Sequence, residues 1–234
     1  MPIRETDLEG AKRVAIQFLY LKPKQTVGFG FFVDHPFINT AYVADTQGPF
    51  FIFDEPKRFQ SYLQHLADII NRGNLDTIFA YMLNKYHLAY LKFVKDYLSK
   101  KDFDKYLAYV WIASENPNQD ATVKIRTLIS WFKQANRKYL MEPNELAYYN
   151  NLPQKLKIYR GIAVGRANKE GLSWTCNYKT AEWFANRFNE KDKKGYILQG
   201  EIDKDDVFAY FNGRNEDEIL CNSQKVYNIT KIQL

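Results

Sequence analysis

In the last third of the chain, three short segments carry side chains fit for chemistry: Tyr159-Arg160-Gly161, Ser173-Trp174-Thr175 and Glu216-Asp217-Glu218. Each adjoins residues of strand type, so an arginine, a hydroxyl pair and two carboxylates are expected to project from neighbouring strands into one cleft. That set suits cleavage of the nicotinamide bond of NAD, which leaves an oxocarbenium-like ribose whose positive charge a carboxylate must meet. Glu218, just before apolar Ile219 and Leu220, is expected at the start of a strand, hydrogen-bonded to the ribose 2′-hydroxyl. Arg160 offers a permanent charge and a planar donor fork suited to diphosphate oxygens. Gly161 lacks a side chain and is expected to let the backbone approach the nicotinamide carboxamide. Ser173 and Thr175 share one strand face and are expected to orient Glu218 and the ribose, with Trp174 turned the other way into a helix–sheet core. If Glu216 to Glu218 is extended, both carboxylates face one side. Glu216 then receives the acceptor while Glu218 works on NAD, and Arg214 balances their charge. Taken singly, each residue has an ordinary reading as a surface ion pair, a strand residue or an acidic turn; the order and context of the set carry the inference.

Those side chains need a sheet to hold them. Leu156 to Tyr159 and Gly171 to Thr175 read as strands. Asn177 is expected to cap a helix on which Ala181, Phe184, Ala185 and Phe188 recur at helical spacing. Further strands are expected at 195–202, 207–211, 218–221 and 225–232. Upstream of Asn150 to Pro153 the periodicity turns helical. One helix is marked by Phe59, Tyr62, Leu63, Leu66 and Ile69 and closed by Gly73, and others span 75–98 and 102–113. Asp120 is expected to cap a helix with Val123, Leu128, Ile129, Trp131 and Phe132 on its apolar side. Near the N-terminus, the aromatic run Phe29, Phe31, Phe32, Val33 and Phe37 around Gly28 and Gly30, with Gly48 to Asp54, suggests a small hairpin or sheet within 26–55. The fold class is therefore α+β. A mainly helical region, 1–152, is expected to select the target or cover the cleft, ahead of an expected NAD-binding core at 153–234.

Composition narrows the class further. With 234 residues, 46% of them hydrophobic, the chain can bury one large core or two modest ones. No apolar stretch approaches the roughly 20 residues needed to span a bilayer, and the first residues mix both charge signs, so no membrane partner and a cytoplasmic location are expected. Cys176 and Cys221 are too few for a disulfide framework and lack zinc spacing; with His35, His65 and His87 scattered, no metal is expected. The net charge of +6 is divided evenly between residues 1–150 and the rest, compatible with an anionic partner but without a basic stripe. Tyr81, Tyr86, Tyr90, Tyr97, Tyr106 and Tyr109 read as helix–helix packing, with base stacking as the other use. Lys92, Lys95, Lys100, Lys101 and Lys105 read as a solvated face, with anion binding as the other use.

The three motifs resemble those of mono-ADP-ribosyltransferases of the arginine-serine-glutamate class, the cholera-toxin-like and C2/C3-toxin-like group. Tyr159-Arg160-Gly161 is similar to the first motif, Gly171-Leu172-Ser173-Trp174-Thr175 to the second and Glu216-Asp217-Glu218-Ile219 to the third. The helix carrying Ala181-Glu182-Trp183-Phe184-Ala185 is also similar to that of bacterial and phage members. The resemblance covers about residues 155–234 and implies a split mixed sheet that grips NAD without a Gly-rich loop. It implies NAD as co-substrate, with Arg160 binding it, Ser173 organising the pocket and Glu218 catalytic. Tyr159, Gly161, Thr175 and Phe184 join the NAD-binding set; Glu216, Arg214 and Asn215 form the acceptor side. A glutamate at 216 is typical of arginine-modifying members. Departures lie at Trp174 between the hydroxyls, at Cys176 in place of a polar residue, and in the short segment from Phe211 to Asn215.

A macromolecular acceptor follows, protein arginine favoured and RNA or DNA the alternative, in a bacterial or phage-type effector that an antitoxin or inhibitor protein would restrain. Water as acceptor would instead make an NAD glycohydrolase. A non-enzymatic binding module on a degenerate scaffold has no chemical need to keep Arg160, Ser173, Glu216 and Glu218 together.

Overall fold

The computed structural model describes residues 4–26, 30–114, 117–164, 171–187 and 195–234. Gly28, Phe29 and Phe188 of the sequence patterns lie outside them. Two compact units divide the chain between Phe103 and Asp104.

The first unit opens with α1 (Leu8–Leu19), an element the sequence reading omits; Asp7 caps it by accepting from the Gly10 N–H at 2.8 Å. Strands β1 (Lys24–Gln25) and β2 (Val33–Asp34) pair antiparallel, as do β3 (Tyr42–Asp45) and β4 (Gly48–Phe51). In place of the one small hairpin or sheet expected within 26–55 there are two two-stranded ribbons, the first of which begins earlier, at Lys24. Helix α2 (Pro56–Arg72) ends at Gly73. The helix expected over 75–98 is broken into α3 (Leu75–Tyr81) and α4 (Asn84–Val94), because Met82 and Leu83 take extended backbone.

Two of the histidines explain how helix ends are closed here. His87 Nε2–H donates to the carbonyls of Phe79 and Met82, both at 3.0 Å, and His35 Nε2–H donates to that of Leu19 at 3.0 Å. Each satisfies carbonyls that a helix C-terminus leaves without an intrahelical donor. Burial lowers the pKa of both rings, which favours the neutral form. Tyr90, fully buried, donates to the Ala11 carbonyl at 3.0 Å, and Tyr106 is buried too, whereas Tyr81 and Tyr109 are exposed. The tyrosine stripe is therefore only partly packing.

The second unit contains α5 (Lys100–Ala113) from Asp104 onward, then α6 (Ile125–Gln134), α7 (Arg137–Leu140) and α8 (Pro143–Asn150). Asp120 accepts from the N–H groups of Thr122 and Val123 at 2.7 and 2.6 Å, in a turn that precedes the Lys124 N-cap of α6. That helix accordingly begins later than expected. There follow β5 (Lys155–Ile162), β6 (Ser173–Thr175), α9 (Tyr178–Asn186), β7 (Tyr196–Asp203), β8 (Val207–Phe211), β9 (Glu218–Cys221) and β10 (Tyr227–Gln233). Asn177 caps α9 as expected, accepting from Lys179 and Thr180.

The protein is an α+β fold whose main sheet has six strands in the order β10-β7-β5-β6-β9-β8. Each described pairing in it is antiparallel, which corrects the mixed sheet implied by the resemblance. The reason lies in the α9 connection: β6 and β7 both run against β5, hence parallel to each other, but β5 separates them and they never pair. The sheet is nevertheless split. β5 follows β7 from Lys155↔Asp203 to Ile162↔Tyr196, yet meets β6 at one register position, Tyr159↔Thr175.

A change from helical to strand periodicity near 152 does not coincide with the change in packing at 103. Helices α7 and α8 lie against β8, and the Phe132 ring of α6 stacks on Phe208 of β8 at 6.2 Å, so residues 104–152 share a unit with the sheet. Among the described residues no helix is long and apolar enough to cross a membrane.

Helix α9 seats on β5 and β7 where side chains are missing. A Cβ at Gly161 would meet the Ala181 carbonyl oxygen at 2.1 Å and Ala185 N at 2.6 Å; one at Gly195 would meet the Ala185 carbonyl oxygen at 2.0 Å. The backbone of α9 thus by itself requires glycine at 161. Replacing Gly161 by Ala should lower stability by about 2–3 kcal/mol, since backbone cannot yield as a flexible side chain would. Urea unfolding of the variant measures this, and an unchanged midpoint would contradict such close seating.

Candidate functional site

At the split in the sheet, the register places Tyr159, Thr175, Glu218 and Phe211 in one row across β5, β6, β9 and β8. Glu218 is the residue on which the surrounding donors converge. It is 4% exposed at the first position of β9, as the sequence reading expected of a strand start. Trp111 of α5 donates its indole N–H to Glu218 Oε1 at 3.0 Å, and the Ser173 hydroxyl of β6 lies on the same carboxylate's side and favours its ionised form. Burial raises the Glu218 pKa; the Ser173 hydroxyl, the Trp111 hydrogen bond and the Arg214 charge oppose that rise, and Glu216 adds to it.

Glu216 reaches the same place by a route other than the expected extended pair. Asp217 has φ 47° and Asn215 φ 55°, both in the left-handed region, so the segment is a turn. What joins the two carboxylates is Arg214, whose Nη2 lies 2.8 Å from Glu216 Oε2 and 4.0 Å from Glu218 Oε2. Its other terminal nitrogen donates to the Ile112 carbonyl of α5 at 3.1 Å. Arg214 therefore balances the carboxylates as expected, while Asn215 is exposed at the turn.

The turn is clamped from several elements. Thr175 Oγ1 donates to the Glu216 carbonyl at 2.8 Å, so this hydroxyl holds the turn, whereas sequence reasoning gave it to Glu218 and the ribose. Tyr210 donates to Asp217 Oδ1 at 2.8 Å, and Asp217 N–H donates to Asn212 Oδ1 at 3.2 Å. Glu145, buried on α8, accepts from the Asn212 N–H at 2.7 Å, and Tyr148 of α8 stacks on Tyr210 at 4.1 Å.

Arg160 crosses the split: its guanidinium donates to the Ser173 carbonyl and leaves no space for a side chain at Gly171, where a Cβ would fall 2.0 Å from Nη2. Burial pulls its pKa down to about 10, against the favourable charge of Glu218. Part of its donor capacity thus serves β6, where the sequence reading assigned it to a diphosphate. Tyr159 and Phe184 belong to the α9 side: Tyr159 packs against Ala181, Ala185 and Ile197, and Phe184 lies edge-on to exposed Trp183 at 4.9 Å. Trp174 is buried as expected, and its indole N–H donates to Ser223 Oγ at 3.1 Å. Both cysteines are free; burial raises the Cys176 thiol to about 11 and raises Cys221 as well.

The structure brings together Glu218, Glu216, Ser173, Arg214 and Arg160, and sets Tyr159 and Gly161 against α9, the helix that carries Phe184. Trp111, Glu145, Tyr210 and Asn212 escaped the sequence reading. Glu145 had a signal only as half of a capping box with Glu142, which accounts for one of its oxygens. A scan against protein-family models and searches of curated proteins and of solved structures found no match to the chain.

Because folding raises the Glu218 pKa, its contribution to stability is fully present below the unfolded value of about 4.3 and is lost as pH rises through the folded value. A Glu218→Gln variant keeps an acceptor for Trp111 and carries no charge. It should match the parent in urea near pH 4 and exceed it by a margin that grows toward pH 8; a margin independent of pH would refute the buried charge.

Proposed function

We propose that the protein is a mono-ADP-ribosyltransferase that cleaves the nicotinamide glycosidic bond of NAD and transfers ADP-ribose to a macromolecule, protein arginine first. The observation that carries this reading is the convergence of Ser173, Trp111 and Arg214 on buried Glu218, with Glu216 joined to it through the same guanidinium.

The chemistry asks for a carboxylate beside a developing ribose cation, held by donors that need not reorganise as the bond breaks. Glu218 is held in that manner. The electron pair of the C–N bond leaves with nicotinamide, and the acceptor nitrogen supplies the pair that forms the new bond to the ribose carbon. Glu216, half-buried and ion-paired, is suited to orient that nitrogen and to take its proton. Arg160 and Ser173 fit the NAD side as a cation and a hydroxyl at the opening between β5 and β6. The arginine preference draws support from Arg214: one guanidinium spans the gap between Glu216 and Glu218, so the pair has the spacing for an acceptor guanidinium.

The test is incubation of the pure protein and its Glu218→Ala variant with cell extract and NAD labelled in the adenylate, followed by protease or ribonuclease. Protease-sensitive label that falls at least about 100-fold with Glu218→Ala is expected. Glu216→Ala should lose transfer by a similar factor while retaining NAD hydrolysis. Ribonuclease-sensitive label would move the acceptor to RNA, loss of NAD without label would leave a glycohydrolase, and intact NAD with every acceptor would overturn the proposal.

A further inference from the structure

We infer that Trp111 is a positioning residue for Glu218: its indole N–H holds Oε1, so that Oε2 is the oxygen presented to substrate. The inference rests on the reading of Glu218 as the carboxylate that acts on the ribose of NAD.

The indole nitrogen is a donor only, and when buried it requires an acceptor. Trp111 is 2% exposed, and its acceptor is Glu218 Oε1 at 3.0 Å. The ring cannot swing away without repacking its neighbours. It meets Phe132 edge-on, with centroids 5.4 Å apart at 89°, and Phe132 in turn stacks on Phe208 of β8 at 6.2 Å. Three rings thus tie the end of α5 to the sheet that carries Glu218.

The next residue completes the arrangement. The Ile112 carbonyl accepts from Arg214, whose other terminal nitrogen lies 4.0 Å from Glu218 Oε2. Consecutive residues of α5 therefore act on the two oxygens separately, Trp111 directly on Oε1 and Ile112 through Arg214 on the side of Oε2. With Oε1 engaged, Oε2 faces the guanidinium and Glu216, where an acceptor would enter.

The indole N–H also favours the ionised carboxylate, and so opposes the effect of burial. The groups facing Glu218 in this balance are Arg214 and Glu216 of the turn, Ser173 of β6, Arg160 of β5 and Cys221 of its own strand. Removing the Trp111 donor while keeping a ring should leave the carboxylate less well oriented and harder to ionise.

Trp111→Phe tests this. The rate constant kcat for nicotinamide release should fall about tenfold or more, with KM for NAD within about twofold, as for an interaction made mainly in the transition state. The acidic limb of the kcat profile should move to higher pH. In the absence of NAD, the Glu218 side-chain carboxyl carbon, followed by ¹³C NMR, should titrate higher in the variant. A cooperatively folded Trp111→Phe protein with unchanged kcat, acidic limb and carboxyl titration would overturn the inference. Should that variant fail to fold, the Trp111 indole proton resonance is compared between the parent and Glu218→Ala; an upfield move is expected, and an identical shift overturns the inference. If the parent protein does not cleave NAD, the proposed function fails by itself, and the carboxyl titration still decides whether Trp111 holds Glu218.

Discussion

A carboxylate removed from water costs several kcal/mol unless donors meet it, and the region around the split sheet is organised by that requirement at Glu218. Its donors come from separate elements: an indole from α5, a hydroxyl from β6 and, at longer range, a guanidinium from the turn before β9. Moving any of those elements would leave a buried charge with fewer partners. The site and the packing of the second unit are therefore one problem, in which the helices before residue 152 supply both walls and hydrogen bonds.

The sheet provides the opening. β5 and β6 touch at Tyr159↔Thr175 and then diverge, and Arg160 bridges the gap to the Ser173 carbonyl. On the α9 side the absence of side chains at Gly161 and Gly195 lets the helix rest against strand backbone. The turn of residues 212–217 is fixed by Glu145, Tyr210 and Thr175, so Glu216 is set by hydrogen bonds to backbone and to Asp217 and not by strand geometry. A rigid frame of this kind suits stabilisation of charge that appears only as a bond breaks.

Much of this was legible because the last third of the chain obeys local rules. Strand alternation and the Asn177 cap located β5, β6, α9, β8 and β9, and residue type singled out Arg160, Ser173, Glu216 and Glu218. Local rules failed where tertiary contacts decide. A buried indole has no sequence signature for its acceptor, so in the sequence Trp111 is only one more residue of a helix. Left-handed Asn215 and Asp217 overrode the extended spacing of the carboxylates. The packing role of Gly161 is not legible in the sequence, because the backbone of α9 that occupies the space beside it is set there by the fold. Periodicity reports element type, whereas a unit is defined by what packs on what, so the change near 152 and the division at 103 need not coincide.

The most direct test of Glu218 as the bond-breaking carboxylate measures NAD binding by calorimetry and nicotinamide release, side by side, for the parent and Glu218→Gln. The amide preserves shape and the acceptor for Trp111 while removing the charge. Expected is NAD affinity within a few-fold of the parent and release slowed by at least about 100-fold. Release at the parental rate from the Gln variant would contradict the central role given to this carboxylate.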